Sequence, residues 1–142
     1  MPESTSADGT LWTELPPRRN LSGPLRVLLV DDEEDFLELT SMVLSSAGCQ
    51  VECARAAGEA VARAIRHPPD VILLDILLPG CDGLEILEAL RQEPETAEVP
   101  VLACTALGER ESGRLLEEIG FDGLLSKPID WRELTQKLRC AT

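Results

Sequence analysis

Val27-Leu28-Leu29-Val30-Asp31-Asp32-Glu33 is the stretch on which the fold turns. Its four successive apolar residues follow neither a helical nor an alternating period, and they end abruptly in acid. A run apolar at every position marks a strand covered on both faces, as in a parallel sheet. Val71-Ile72-Leu73-Leu74-Asp75 repeats the pattern, again with an aspartate at its end.

Between and beyond these runs the period changes. Residues 34–47 read as a helix with Phe36, Leu39 or Thr40, Val43 and Ala47 on one face, stopped by Gly48. Residues 50–54 form a weaker second strand. Residues 57–66 are Ala-rich and helical, and Pro68-Pro69 ends them. Residues 84–91 make a short helix, followed by a loop through Pro94 and Pro100, and residues 99–104 a fourth strand. Residues 109–119 read as a helix weakened by Gly113, Leu124-Leu125 as a fifth strand, and Asp130 as the cap of a last helix through Leu138. Trp131, Leu134 and Leu138 share one face of that helix. Five strands alternating with five helices predict an α/β fold, a doubly wound parallel sheet with right-handed crossovers.

The chain has 142 residues, enough to bury a core without staples, with 44% hydrophobic and 27% charged residues. Residues 1–24, rich in Pro, Ser, Thr and Gly, read as a flexible N-terminal extension; residues 25–142 form the domain. Within the extension, Leu11, Trp12 and Leu15 have the spacing of one helical turn, an alternative to a disordered tail. Twenty-six acidic against 13 basic residues give a net charge of −13. That argues against a nucleic-acid backbone or an anionic membrane as direct partner and leaves cations and basic protein surfaces. No apolar run approaches a membrane span, and the polar N-terminus does not resemble a signal peptide. Five cysteines at irregular spacing, with no Cys-x-x-Cys pair and one histidine, His67, point to reduced thiols in the cytoplasm rather than a zinc site.

In open α/β sheets, ligands bind beyond the carboxyl ends of the strands. Asp31 and Asp32 follow strand one, Asp75 ends strand three, Thr105 and Ala106 follow strand four, and Ser126, Lys127 and Pro128 follow strand five. Carboxylates, a hydroxyl and an ammonium are thus delivered to one edge. Two unit charges about 4 Å apart repel by about 4 kcal/mol at an effective dielectric near 20, so a divalent cation is expected among the carboxylates. Hard oxygen ligands suit Mg²⁺, or Mn²⁺, better than zinc. A cation on one side and Lys127 on the other make a cradle for a phosphoryl group, with Asp75 as covalent acceptor. The plainer reading, helix-start acids favoured by the macrodipole, is retained for Glu33, Glu34 and Asp35.

These segments resemble the response-regulator receiver domain of two-component signalling. The match is carried by V-L-L-V-D-D-E at residues 27–33, D-I-L-L-P-G-C-D-G at residues 75–83, Thr105-Ala106 and Lys127-Pro128, and it spans about residues 25–140. The resemblance implies a flavodoxin-like fold with strand order 2-1-3-4-5, the order known for the family's chemotaxis member. It implies Asp75 as the phosphoacceptor, Asp32 as a direct Mg²⁺ ligand, Asp31 acting mainly through a metal-bound water, and the Leu77 carbonyl as a further ligand. Lys127 and the Thr105 hydroxyl would hold phosphoryl oxygens. Phosphoryl donors would be a histidine kinase or a histidine phosphotransfer protein. Output would be binding of a protein target, through residues 109–138, or onward phosphorelay. With few residues after the last helix, a stand-alone receiver is expected.

Leu124 departs from the family pattern. Three residues before the lysine, relatives usually carry an aromatic switch residue or His, and this chain has no tyrosine. The switch is therefore expected to use Thr105 and a repacking Leu124. Leu77 and Leu107, at positions that tune phosphoryl lifetime in relatives, are apolar and predict slow self-hydrolysis. Two other functions compete: a receiver-like interaction domain that is never phosphorylated, and an Asp-nucleophile phosphohydrolase. The latter lacks an acid at Leu77, two residues after the nucleophile. The chain is therefore expected to act as a signalling module, not a turnover enzyme.

Overall fold

A computed structural model describes residues 23–75, 83–105, 120–126 and 130–140, with the residue pairs Ser4–Thr5 and Leu11–Trp12. Five strands form the parallel sheet: β1 (Arg26–Val30), β2 (Gln50–Ala54), β3 (Val71–Asp75), β4 (Val101–Thr105) and β5 (Gly123–Ser126). The described helices are α1 (Glu34–Ser46), α2 (Ala57–Arg66), α3 (Gly83–Gln92) and α4 (Trp131–Cys140). The helix expected at residues 109–119 lies outside the described residues. Strand order is β2-β1-β3-β4-β5, the expected 2-1-3-4-5 arrangement.

The aliphatic runs explain the layers. Successive side chains of a strand point to opposite faces. Leu28, Val30, Ile72 and Leu74 therefore meet Ala60, Ala64, Ile86 and Leu90 of α2 and α3. Val27, Leu29, Val71 and Leu73 meet Leu37 and Leu44 of α1 and Leu134 and Leu138 of α4. All five residues of β3 are buried, which is why that strand reads as continuously apolar. Each fully buried Leu, Ile or Val contributes about 1.5–3 kcal/mol of transfer free energy. β2, at one edge, buries only Ala54, so its pattern is weaker.

α1 ends where Gly48 takes φ +95°, a conformation glycine adopts without Cβ strain. The Cys49 N–H donates to the Leu44 carbonyl at 3.0 Å and the Gly48 N–H to the Ser45 carbonyl at 3.0 Å, the paired bonds of a Schellman stop. The buried face of α1 is Leu37, Thr40 and Leu44. It is thus turned from the expected face; Leu39 is 50% exposed, and Phe36, Val43 and Ala47 sit at the margin. Thr40 is buried because its hydroxyl accepts the Trp131 indole N–H at 3.2 Å, which locks α4 onto α1.

Two further expectations are corrected. β4 starts at Val101, not residue 99. Pro100 has no N–H for a ladder, and its carbonyl alone accepts the Ile72 N–H at 2.9 Å. Leu11–Trp12 is extended rather than a helical turn, and pairs antiparallel with β5, with Ser4–Thr5 beyond it. In a 2-1-3-4-5 order β5 is an edge strand, whose outward N–H and C=O groups template another strand. Among the described residues no helix is long and apolar enough to cross a membrane.

A polar clamp fixes the start of β4. Asp122 Oδ2 accepts the Val101 N–H at 2.8 Å and Arg91 Nη2 at 3.0 Å. The same guanidinium donates through Nη1 to the carbonyls of Val99 at 2.7 Å and Ala97 at 3.2 Å. The carboxylate thus joins α3, β4 and β5. Asp122→Ala orphans the Val101 N–H and removes the carboxylate partner of Arg91 Nη2, and is expected to lower unfolding free energy by about 1–3 kcal/mol. Urea denaturation checks this; a midpoint equal to the parent's would mean the clamp contributes nothing.

Candidate functional site

The site begins where β1 runs out of apolar residues. The Asp31 N–H donates to the Ala54 carbonyl at 3.1 Å, extending the β1–β2 ladder one residue beyond the strand. Between two neighbouring strands, Asp31 is only 1% exposed. Its Oδ1 accepts the Glu33 N–H at 2.9 Å, a side-chain turn that sends the chain into α1. Glu33 accepts the Leu37 N–H through its carbonyl, and Glu34 and Asp35 occupy the first turn, where the helix dipole favours acid. The plain reading of Glu33, Glu34 and Asp35 is the one the geometry supports.

β3 brings the third carboxylate. Val30 is in register with Leu74, so Asp75 stands level with Asp31 across the β1–β3 boundary. Asp75 is 8% exposed and Asp32 half-buried. One carboxylate oxygen from each of Asp31, Asp32 and Asp75 lies within 4.8 Å of the others. The adjacent Asp31 and Asp32 are thus joined at one mouth by Asp75, from a strand distant in sequence. Carboxylates this close repel one another, and the low-dielectric aliphatic wall beneath screens them less than water would. The donor set is all oxygen, which fits a hard dication such as Mg²⁺ or Mn²⁺ and not the Cys and His sites of structural zinc.

Thr105 ends β4 opposite Ser126, the last residue of β5, so the backbone carries it to the same edge as Asp75, which pairs with Cys104. The Thr105 side chain, Lys127 and Leu77 lie outside the described residues. Leu124 is 2% exposed in the cluster beneath β4 and β5, beside Ala103 and Phe121. His67 caps the end of α2, where its carbonyl accepts Arg26 Nη2 at 3.4 Å, at the strand-start edge remote from the aspartates.

Arg55 is the residue that sequence reasoning missed. Its Nη2 donates to the Asp32 carbonyl at 3.3 Å, while its own N–H donates to Glu59 Oε1 at 3.0 Å. The guanidinium thereby holds the loop that carries Asp32. The signal lay in topology alone: Val30 pairs with Ala54, so the residue after β2 must border the residues after β1. Arg55 also borders a cavity of about 340 Å³ with Glu34, Leu37, Glu38, Ser41, Cys53 and Glu59, which excludes the three aspartates. Burial pushes the Cys53 thiol up from its ordinary pKa, and nearby Arg63 opposes that shift. Cys53 is accordingly a poor thiolate and a packing residue; Cys49, Cys53 and Cys104 are reduced thiols.

Comparison with known proteins follows the same lines. The family model for the response regulator receiver domain matches residues 27–139. The chain is 36% identical over 114 residues to the DNA-binding dual master transcriptional regulator RpaA of Synechocystis sp., covering 80% of this chain and 47% of that protein. It is 34% identical over 113 residues to the phosphate regulon transcriptional regulatory protein PhoB of Pseudomonas aeruginosa, covering 80% and 49%. The chain therefore spans about half the length of these curated relatives. Among solved structures, the chemotaxis response regulator CheY4 of Vibrio cholerae superposes with a TM-score of 0.76 at 30% identity, over 84% of this chain and 99% of that one. A putative response regulator from Chloroflexus aurantiacus gives 0.76 at 33% identity, over 83% and 97%. With motif order, strand order and family match in agreement, this chain belongs to the response regulator receiver domain family.

Proposed function

We propose that residues 25–142 are a phosphoacceptor receiver unit that takes a phosphoryl group onto Asp75 from a histidine kinase or a histidine phosphotransfer protein, and that residues 1–24 are an extension outside it. The observation that carries this reading is the meeting of the Asp31, Asp32 and Asp75 carboxylates within 4.8 Å at the carboxyl edge of the sheet. Buried carboxylates are rarely gathered without a cation, and a cation beside a nucleophilic carboxylate is the arrangement phosphoryl transfer requires.

Asp31, Asp32, Asp75 and the Leu77 carbonyl would hold Mg²⁺ or Mn²⁺. That ion, when bound, supplies neutralisation of charge on the phosphoryl oxygens. In the transfer, a carboxylate oxygen of Asp75 attacks phosphorus in line with the leaving group. The new O–P bond makes an acyl phosphate as the N–P bond to the donor imidazole breaks. The bonding pair returns to the ring nitrogen, which recovers a proton. Lys127 would neutralise one phosphoryl oxygen and the Thr105 hydroxyl would donate to another. Asp31 contributes order as well as charge, since its bond to the Glu33 N–H fixes the loop.

The module acts by changing what it binds rather than by turnover, in the cytoplasm, with output through a protein target or onward phosphorelay. Thr105 and Leu124 are the switch pair in this reading. Leu124 already belongs to the buried cluster with Ala103 and Phe121, so movement there repacks apolar side chains instead of rotating an aromatic ring. The phosphohydrolase reading is disfavoured by Leu77, which offers no acid to the leaving group.

Incubation with acetyl phosphate and Mg²⁺, followed by intact-mass measurement, is expected to add one phosphoryl to the parent chain and none to Asp75→Asn. Phosphorylation of the Asn variant to the same level would move the acceptor elsewhere. Absence of any adduct with a kinase as well would favour a receiver-like interaction domain. Steady turnover of a generic phosphate ester would favour the hydrolase.

A second expectation concerns the cation alone. Binding to the folded state adds stability by mass action, about 2.7 kcal/mol at 100 times the dissociation constant. Thermal melting with and without Mg²⁺ is expected to show a rise in Tm for the parent chain. Asp32→Asn should melt higher than the parent without metal, because one repelling charge is gone, and should respond little to Mg²⁺. An equal Mg²⁺ response in both proteins would remove Asp32 from the ligand set.

A further inference from the structure

The parallel sheet ends at β5, yet the sheet itself does not. Leu11 is in register with Leu124 and Trp12 with Gly123, antiparallel to β5, and Ser4–Thr5 pairs in turn with Leu11–Trp12. The family match begins only at residue 27, after this ribbon, and CheY4 of Vibrio cholerae is matched over 99% of its length by 84% of this chain. The ribbon is thus an addition to the receiver fold, laid on the strand that contains Leu124. A bare edge strand exposes a row of N–H and C=O groups that any extended segment can pair with.

We infer that the N-terminal segment is an intramolecular edge strap: Leu11–Trp12 occupies the outer edge of β5, so that an extended partner strand must displace it before adding to the sheet there. Its antiparallel ladder on an otherwise parallel sheet can form or leave without disturbing β1 to β4. Two residues of pairing make it one of the least stable parts of the sheet, the kind of element that opens locally while the core stays closed. None of this depends on phosphorylation of Asp75, and the test is made on the unmodified protein.

Amide hydrogen exchange on the 142-residue chain as a monomer tests the strap. In an antiparallel pair only one of two neighbouring residues turns its N–H to the partner. One of Leu11 and Trp12, and one of Gly123 and Leu124, should therefore be protected across the new ladder, with a cross-strand Hα–Hα or amide contact between the two segments. The double variant Leu11→Pro/Trp12→Pro of the same chain loses every N–H this segment donates and fixes two successive φ angles at about −65°, so only carbonyl acceptors in a non-strand backbone are left to face β5 and the two-residue ladder is lost. It should lose about tenfold or more of the protection at the outward-facing residue of β5, while amides of residues 71–74 stay protected as an internal control. A synthetic peptide of residues 1–22, added to that variant, should restore the lost protection in a concentration-dependent way. Unprotected amides at residues 11–12 in the parent chain would overturn the proposal whatever the variant does. So would unchanged β5 protection in the variant, or parent protection that disappears on dilution, which would assign the ribbon to an exchange between two copies.

Discussion

Three carboxylates held within 4.8 Å of one another at the end of a sealed aliphatic sheet are a liability for any folded protein, and the rest of the structure is arranged around keeping them there. Their positions follow from register rather than from local preference. Val30 pairs with Ala54 on one side and Leu74 on the other, so the residues after β1 and at the end of β3 have no choice but to be neighbours. The apolar runs generate that register, because a slip of one residue would turn every core side chain to the wrong face. The same burial that stabilises the sheet therefore forces the charges together. Stability and chemistry are coupled here through a single constraint, the point at which hydrophobic sequence gives way to acid.

Two of the described polar contacts at the mouth restrain backbone. Asp31 holds the Glu33 N–H, and Arg55 holds the Asp32 carbonyl. Both bonds pin the short link between β1 and α1, whose first turn carries Glu34 and Asp35. A guanidinium directed at a carbonyl leaves the adjacent carboxylate oxygens for another cation. The Asp31 and Asp32 carboxylates therefore stand on a backbone that hydrogen bonds already hold in place.

Much of this is legible in sequence, and the reasons are specific. β1 and β3 are legible because strands buried on both faces are apolar at every position. Gly48 is legible because a helix stop at positive φ selects glycine. The aspartates are legible because parallel α/β topology gives one edge of the sheet to loops that carry ligands. Three features are hidden. The buried face of α1 depends on Thr40, whose hydroxyl is tolerated inside only because Trp131, 91 positions away, donates to it. The start of β4 depends on Pro100, apolar like its neighbours but unable to donate. Arg55 looks like any surface arginine until β2 is placed beside β1.

The N-terminal ribbon is hidden for a different reason. Two paired residues carry too short a pattern to distinguish a strand from a turn of helix, and Leu11-Trp12 satisfies either. What selects the strand is the partner, since β5 lies at the edge of the parallel sheet and offers an open ladder there. Local sequence thus underdetermines those elements whose conformation is conferred by a pre-formed edge. The same logic joins the two ends of the sheet's chemistry. Thr105 pairs with Ser126 at the mouth, and Leu124 lies two residues back along β5, paired with Ala103 inside and Leu11 outside. A change in packing at Leu124 is therefore felt on both ladders at once. The backbone of β5 therefore carries one ladder that builds the mouth and a second that only covers its edge.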